Sequence, residues 1–218
     1  SSNRNLHLGA RYLAGATLCA VSAGTIGGQA WLLAYPAISL LLVAASYVSR
    51  RTGFLEKRGT RWTALTTLLL APYLAGAWCS WRLYMRTISP WTEIAPRVFV
   101  GRRLDNVEAH RLLARGDLAV IDLAPELPEC GLLAKQDYTH VGMLDLVPPT
   151  AAQVDRVLTL LQSRLDAGKI VFIHCSLGLY RGPLVLAAWL ISTGMRPADA
   201  GAHIHRLRPQ VVFDVHDL

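Results

Sequence analysis

The sequence predicts an α/β domain with a largely parallel central sheet flanked by helices, preceded by an N-terminal α-helical transmembrane region. Three observations lead there. Uncharged apolar runs fill the first part of the chain, strand and helix patterns alternate from about residue 92 onward, and charge is split between the two parts. Hydrophobic residues make up 52% of the 218 and charged residues 17%. Mean hydropathy is +0.32, high for a soluble protein. Residues 1–90 carry nine Lys/Arg against Glu56 alone, whereas residues 91–218 carry 13 against 14 Asp/Glu. A nucleic-acid binder displays its positive field on a folded reading surface. Here arginines flank apolar runs instead, which fits lipid headgroups and membrane topology.

Residues 13–48 contain no charged side chain. As one helix they would extend about 54 Å, against a hydrocarbon core of about 30 Å. Gly27, Gly28 and Gln29 therefore predict a turn between two spans, 12–26 and 30–48. The first is rich in Gly, Ala, Ser and Thr, residues that mark helix–helix contacts in membranes. The second carries Trp31 and Tyr47 near its ends as interfacial anchors. A basic segment with Arg50, Arg51, Lys57, Arg58 and Arg61 follows. Residues 62–81 form a third uncharged run, bracketed by tryptophans and interrupted by Pro72, read as a third span with a re-entrant helix as the alternative. The runs are too long, and the third too far from the N-terminus, for a cleaved signal peptide.

From Thr92 onward, Val98-Phe99-Val100-Gly101 reads as a short strand and 105–115 as a helix with Asp105 at its N-cap. Residues 118–122 and 138–144 read as further strands. Residues 151–165 place Val154, Leu158, Leu161 and Leu165 on one helical face. Residues 169–173 are a buried strand, and Arg181–Ser192 and Pro197–Leu207 are closing helices. The domain organisation expected is thus a transmembrane region over 1–90 and a globular domain over 91–218.

The most informative stretch is His174-Cys175-Ser176-Leu177-Gly178-Leu179-Tyr180-Arg181-Gly182. A short loop between a strand end and a helix start turns its backbone N–H groups into an anion cradle, and the helix dipole adds positive potential. A cysteine at its mouth gains a thiolate stabilised by amides and by a cation. An arginine in the first helical turn can lay its planar fork across two phosphate oxygens. Gly178 permits a close backbone approach that a side chain would block. The four cysteines, Cys19, Cys79, Cys130 and Cys175, show no paired spacing. Neither zinc nor a disulfide framework is expected, and no cofactor is called for.

This segment resembles the cysteine-dependent phosphatases, especially their dual-specificity branch. The resemblance covers residues 93–214, with 93–101 similar to the opening strand of such domains and Arg208-Pro209 to their C-terminal arginine–proline pair. It implies Cys175 as nucleophile, Arg181 and the amides of Ser176, Leu177, Gly178, Leu179 and Tyr180 as phosphate binders, and a general acid about thirty residues before the cysteine. Asp145 lies 30 residues before it, just after a predicted strand. It would protonate the leaving alkoxide and then activate water against the cysteinyl-phosphate. Asp122 and Glu126 are rivals ranked second, in a segment read as a structural or substrate-facing loop. His174 is expected as a buried, orienting partner, and His203 and His205 as packing or solvated residues. One position departs from the family: Gly182 stands where such enzymes carry Ser or Thr, whose hydroxyl helps the cysteine leave.

The function expected is therefore a membrane-anchored phosphatase acting on a phospholipid monophosphate, such as phosphatidylglycerophosphate or a phosphoinositide. Leu177, Leu179 and Tyr180 give the loop an apolar character, and Arg82, Arg86, Arg97, Arg102 and Arg103 would lie near the headgroup plane. The architecture resembles the mitochondrial phosphatidylglycerophosphate phosphatase of the same branch, and bacterial proteins that fuse a type-2 phosphatidic acid phosphatase to a dual-specificity domain. The alternatives are a tethered phosphotyrosine or phosphoserine protein phosphatase and an inactive module that binds phosphorylated headgroups. Partners expected are the substrate lipid and the bilayer, with no nucleic acid. The location expected is a bacterial inner membrane, multi-pass, and three crossings would lean the catalytic side toward the periplasm by the positive-inside rule.

Overall fold

The structure is a computed structural model and describes residues 2–26, 28–214 and 217. Gly27, part of the expected turn, and the side chains of Arg4 and Trp31 lie outside what is described. Three helices open the chain: α1 (Ser2–Ile26), α2 (Ala34–Ser49) and α3 (Ala64–Tyr84). A 3₁₀ segment, Gly28–Leu33, leads into α2. The small residues of α1 do what their composition implies. A Cβ on Gly9 would stand 3.1 Å from Val48 Cγ2, and one on Gly15 3.3 Å from Leu40 Cδ1, so α1 and α2 approach closely because those positions lack side chains.

One helical stretch among the described residues, Gly28–Ser49, is long and apolar enough to cross a membrane, with a mean hydropathy of 1.8. The third span expected over 62–81 takes a different course. At the start of α3 the Trp62 Nε1–H donates to Pro125 O at 2.8 Å, and in its last turn Trp81 Nε1–H donates to Arg103 O at 2.9 Å. Both acceptors belong to the α/β domain, so α3 lies along that domain with both ends touching it. The preceding loop is docked there as well: Lys57 pairs with Asp122, and Glu129 N–H donates to Thr60 O at 3.3 Å. The basic loop and the α/β domain therefore share one side. The argument that set them on opposite sides through a third crossing, and with it the periplasmic lean, loses its premise. Trp62 and Trp81, which bracket the third uncharged run, are interdomain hydrogen-bond donors.

The α/β domain holds five strands: β1 (Trp91–Ala95), β2 (Val98–Arg102), β3 (Leu118–Asp122), β4 (Asp137–His140) and β5 (Ile170–Cys175). Their order is β1-β2-β5-β3-β4. Only β1 runs antiparallel to its neighbour, and the other pairs are parallel. The single opening strand expected over 93–101 is thus a hairpin, turned at Arg97 with φ 65°. The strand expected over 138–144 ends early. Val141 and Met143 still donate to Asp122 O and Leu123 O past the regular ladder.

Helices α5 (Ala151–Asp166), α6 (Arg181–Ser192) and α7 (Pro197–Leu207) cover one sheet face, where Val100, Ile121, Val171 and Ile173 meet Val157, Leu184 and Ile204. Helix α4 (Asn106–Leu113) covers the other, with Phe99, Val120 and Phe172 against Ala109 and Leu112. Burial on both faces explains why the central strands read as continuous apolar runs rather than alternating ones. Asp105 caps α4 in a reciprocal box with Glu108, and Thr150 caps α5 with Gln153. Strand β5 lies at the sheet centre and ends at Cys175, while α6 begins at Arg181. The sheet therefore delivers the loop 176–180 to its C-terminal edge, the place where parallel α/β sheets bind ligands.

Candidate active site

The loop 176–180 is braced from outside through its carbonyl groups. Arg103 N–H donates to Cys175 O at 2.8 Å and to Ser176 O at 3.2 Å, and Val212 N–H donates to Leu179 O at 2.9 Å. Arg208, of the arginine–proline pair, is buried and donates Nε–H to Gly178 O at 2.9 Å. Gly178 adopts φ 67°, and a Cβ there would stand 2.4 Å from Gly101 C. Both the backbone conformation and the contact demand glycine. Its N–H donates to Cys175 Sγ at 3.2 Å, so one cradle amide already addresses the sulfur.

Arg181, in the first turn of α6, is fully buried, and every carboxylate it meets comes from a loop at the sheet edge. Its Nη1 and Nη2 donate to Glu126 Oε2 and Oε1 at 2.9 and 2.5 Å. Nη1 also donates to Met143 O at 3.1 Å, and Nη2 to Ser176 Oγ at 3.2 Å. Ser176 Oγ–H in turn donates to Glu126. Asp145 Oδ1 stands 3.1 Å from Arg181 Nε. That Nε makes no directed hydrogen bond, so the pair is a charge contact. The fork assigned by sequence to phosphate is engaged here by the Glu126 carboxylate.

Two carboxyls thus share one guanidinium, and their surroundings push them apart. Burial raises Glu126, but the charge of Arg181 and hydrogen bonds from Arg181 and Ser176 outweigh it and hold Glu126 below the ordinary carboxylate range. Asp145 goes the other way. Burial pushes it up, Arg181 pulls it back and the Glu126 charge raises it again, leaving it above the usual value. A pair arranged in this way separates an anion from an acid. Of the two, Asp145 remains the candidate to carry a proton. Glu126, ranked second from sequence, is the site residue that sequence reasoning underrated.

His174 is buried as expected, donating Nε2–H to Glu129 Oε2 at 2.7 Å and stacked on Phe172. Asp122, Glu129 and His174 bring three potential metal ligands within 4.8 Å of one another. Lys57 Nζ is bonded to that same Asp122 carboxylate and to Leu127 O at 2.7 Å, so an ammonium already supplies positive charge there. His203 bonds Ile94 O and His205 stacks on Phe213, both in packing roles. Of the apolar loop residues, Leu177 packs toward Trp81, Met85 and Leu127. Tyr180 is turned into the core, so its side chain does not present an apolar face to substrate. Arg102 is likewise withdrawn from any headgroup plane, buried in a bidentate pair with Glu108 at 2.9 and 2.7 Å.

Gly182 has a packing reason. A Cβ there would stand 2.8 Å from Val100 Cγ2, and a buried valine has little freedom to yield. Gly182→Ser is expected to lower stability by about 1–3 kcal/mol, and to cost much less in a Val100→Ala background. Thermal unfolding of the four proteins of this cycle measures the coupling, and equal costs in both backgrounds would show that Val100 is not the cause.

A profile of the family described as "Polymorphic toxin system, DSP-PTPase phosphatase" matches residues 106–195. Protein tyrosine phosphatase type IVA 3 of Bos taurus and of Mus musculus is 38% identical over 66 residues, covering 29% of this chain and 38% of each relative. The chain thus aligns with well under half the length of those curated relatives. Among solved structures, Tk-PTP in its active form superposes with a TM-score of 0.52 at 29% identity, covering 56% of this chain and 87% of that one. PTPMT1 in complex with PI(5)P gives a TM-score of 0.53 at 20% identity, covering 60% of this chain and 90% of that one. At that identity the likeness is one of fold.

Proposed function

The chain carries a cysteine-dependent phosphatase domain of the dual-specificity type, and on that premise we propose that it hydrolyses a phosphate monoester, on a phospholipid headgroup, through a cysteinyl-phosphate intermediate. The observation that carries the reading is the convergence of Arg181, Asp145 and the loop 176–180 around the end of β5. Phosphate would take the guanidinium fork now engaged by Glu126. Because Cys175 is only 2% exposed, entry requires the Glu126 carboxylate to leave the fork. The Cys175 thiolate then attacks phosphorus, the P–O bond to the alcohol breaks, and Asp145 gives its proton to the departing oxygen. In the second step water attacks phosphorus, losing its proton to Asp145; the new P–O bond forms as the P–S bond breaks, and the Cys175 thiolate leaves as inorganic phosphate forms.

The organisation proposed is a membrane-associated region over 1–90 joined to a phosphatase domain over 91–218. Most of the exposed large apolar side chains belong to the first three helices, among them Leu13, Leu18, Leu41, Val48, Leu65 and Leu68. An apolar surface of that extent on one end of a molecule fits contact with lipid. Gly28–Ser49 is the spanning segment. The substrate lipid then approaches from the bilayer, and the PI(5)P complex of PTPMT1 shows that this fold accepts a phosphorylated lipid headgroup in that protein. The second reading, a tethered protein phosphatase, draws on the names of the curated relatives. Turnover of phosphatidylglycerophosphate and phosphoinositide micelles, compared with phosphotyrosine peptides, separates the two. Faster release from peptides would overturn the lipid reading.

Asp145→Asn is expected to slow release from alkyl phosphates by about a hundredfold or more, and from aryl phosphates, whose leaving group needs no proton, far less. The pH profile gives the sign. A raised carboxyl stays protonated to higher pH, so wild-type turnover of alkyl phosphates falls as pH rises through it. The Asn variant lacks that falling limb. Equal losses on both substrate types would remove Asp145 from the acid role.

A further inference from the structure

The three N-terminal helices do more than sit beside the phosphatase domain. Between them and the catalytic loop lies a cavity of about 410 Å³, within the size range of small-ligand pockets. Its floor is catalytic: Glu126, Asp145 and Ser176 line it, with Arg181 bonded to the first of these. Its walls come from all three helices, with Leu40 of α2, Tyr12 of α1 and Tyr73 of α3 among them. Tyr12 meets Tyr47 and Tyr73 at ring-centroid distances of 5.2 and 5.9 Å, which makes a continuous aromatic side. The charged residues among its lining are Glu126 and Asp145, both at the floor. The cavity is therefore acidic at its floor, with the Arg181 guanidinium behind Glu126, and mostly apolar elsewhere.

We infer that this cavity holds the apolar tail of the substrate, a phosphate monoester carried on a hydrocarbon chain, so that helices α1–α3 are a wall of the active site rather than only an anchor. The inference rests on the phosphatase reading above and adds to it where the hydrophobic part of the molecule goes. Polarity complementarity orients the ligand once Glu126 has left the fork: Arg181 then holds the dianionic end, and the chain has apolar and aromatic contacts on the way out. The outer faces of the same helices are apolar and exposed, so the tail passes between two apolar environments without crossing water. A soluble phosphoprotein would have to present its phosphate beneath the same roof of three helices, with no such complementarity.

Gly76 of α3 provides the test, because it lines the cavity and a Cβ there meets nothing within 4 Å. Gly76→Leu fills empty space with a residue that favours helix over glycine, and unfolding curves in the same detergent check that the fold is kept. The substrates are phosphatidylglycerophosphate in micelles and the same headgroup with its acyl chains removed. The wild type is expected to prefer the acylated compound, and Gly76→Leu to lower the ratio of the two kcat/KM values at least tenfold. A ratio within twofold of wild type, or a wild type indifferent to the chains, would overturn the tail site while leaving the phosphatase reading intact. Release from neither substrate, nor from a small aryl phosphate, would sink the reading and the inference together.

A second measurement needs no cavity variant. Cys175→Ser protein is irradiated with a phosphatidylglycerophosphate carrying a photoreactive group on its chain. Adducts on Tyr12 and Tyr73 support the site. Adducts confined to outward residues such as Leu13 and Leu68 reveal bulk lipid contact only and overturn it.

Discussion

Cys175→Ser is expected to end phosphate release, a loss on the order of a thousandfold or more, while leaving the protein folded. The size of the effect follows from what the loop does for sulfur and cannot do for a hydroxyl. Gly178 N–H is directed at Sγ at 3.2 Å, and the α6 N-terminus lies behind it. Those groups are placed to hydrogen-bond a sulfur nucleophile at the end of β5. A serine hydroxyl remains protonated in the same place and is a weak nucleophile unless a base removes its proton. The neighbouring carboxyls are not placed for that: Glu126 is committed to Arg181 and Ser176, and Asp145 stands against Arg181 Nε. The replacement is also nearly isosteric, so the buried site does not lose packing. Phosphate release from micellar lipid, with thermal unfolding as the control, tests this. Turnover retained in the folded variant would remove Cys175 as the nucleophile.

The second large effect lies outside the loop. Lys57→Met is expected to destabilise the protein by roughly 3–5 kcal/mol, the cost typical of removing one partner from a buried ion pair. The Lys57 and Asp122 side chains are 0% and 1% exposed, so water cannot take over. Burial raises the Asp122 carboxyl, but Lys57 foremost, then His174 and His140, hold it well below the ordinary range. With a depressed native value, the wild type keeps this contribution above the unfolded carboxylate range and loses it as pH falls through the native value. In Lys57→Met the burial effect has lost its main opponent, so Asp122 titrates higher and the deficit relative to wild type shrinks on acidification. A combined Lys57→Met/Asp122→Asn variant should recover much of the loss. Unfolding temperatures measured at neutral and acid pH check all three statements, and a pH-independent deficit would point to lost packing alone.

The contrast between these two residues shows what a sequence discloses. The Cys175 loop was legible because its chemistry is local: strand, glycine, arginine and helix follow within a dozen residues, and each has its own physical signature. Asp145 was legible by spacing and position at a strand end. Glu126 was only half visible, because nothing near it announces a partner 55 residues away. Lys57 was misread. It stands among arginines between apolar runs, and composition assigns that pattern to headgroups. Whether such a cation faces lipid or a buried carboxylate depends on how the loop docks, which is a tertiary outcome. The tryptophans bracketing α3 announced no partner for the same reason: an indole N–H at an apolar boundary is satisfied equally by interfacial water or by a carbonyl of another domain. Helices occupy all three apolar runs, the first starting at Ser2 rather than at residue 12, whereas their relation to the sheet was not encoded in any one of them.

The segment joining α3 to β1 has no slack. Arg102 donates to Met85 O and Ile88 O, Arg208 to Ser89 O, and Gln210 to Thr87 O. Four carbonyls within five residues are thereby held by the sheet and the C-terminal end, and two of the donors are buried arginines. The catalytic half is consequently not a flag on a leash. If the helices are seated in a bilayer, as proposed above, the candidate site would move with them as one body and would meet molecules diffusing in the same plane. Its rate should then follow the mole fraction of substrate in the interface, not its bulk concentration.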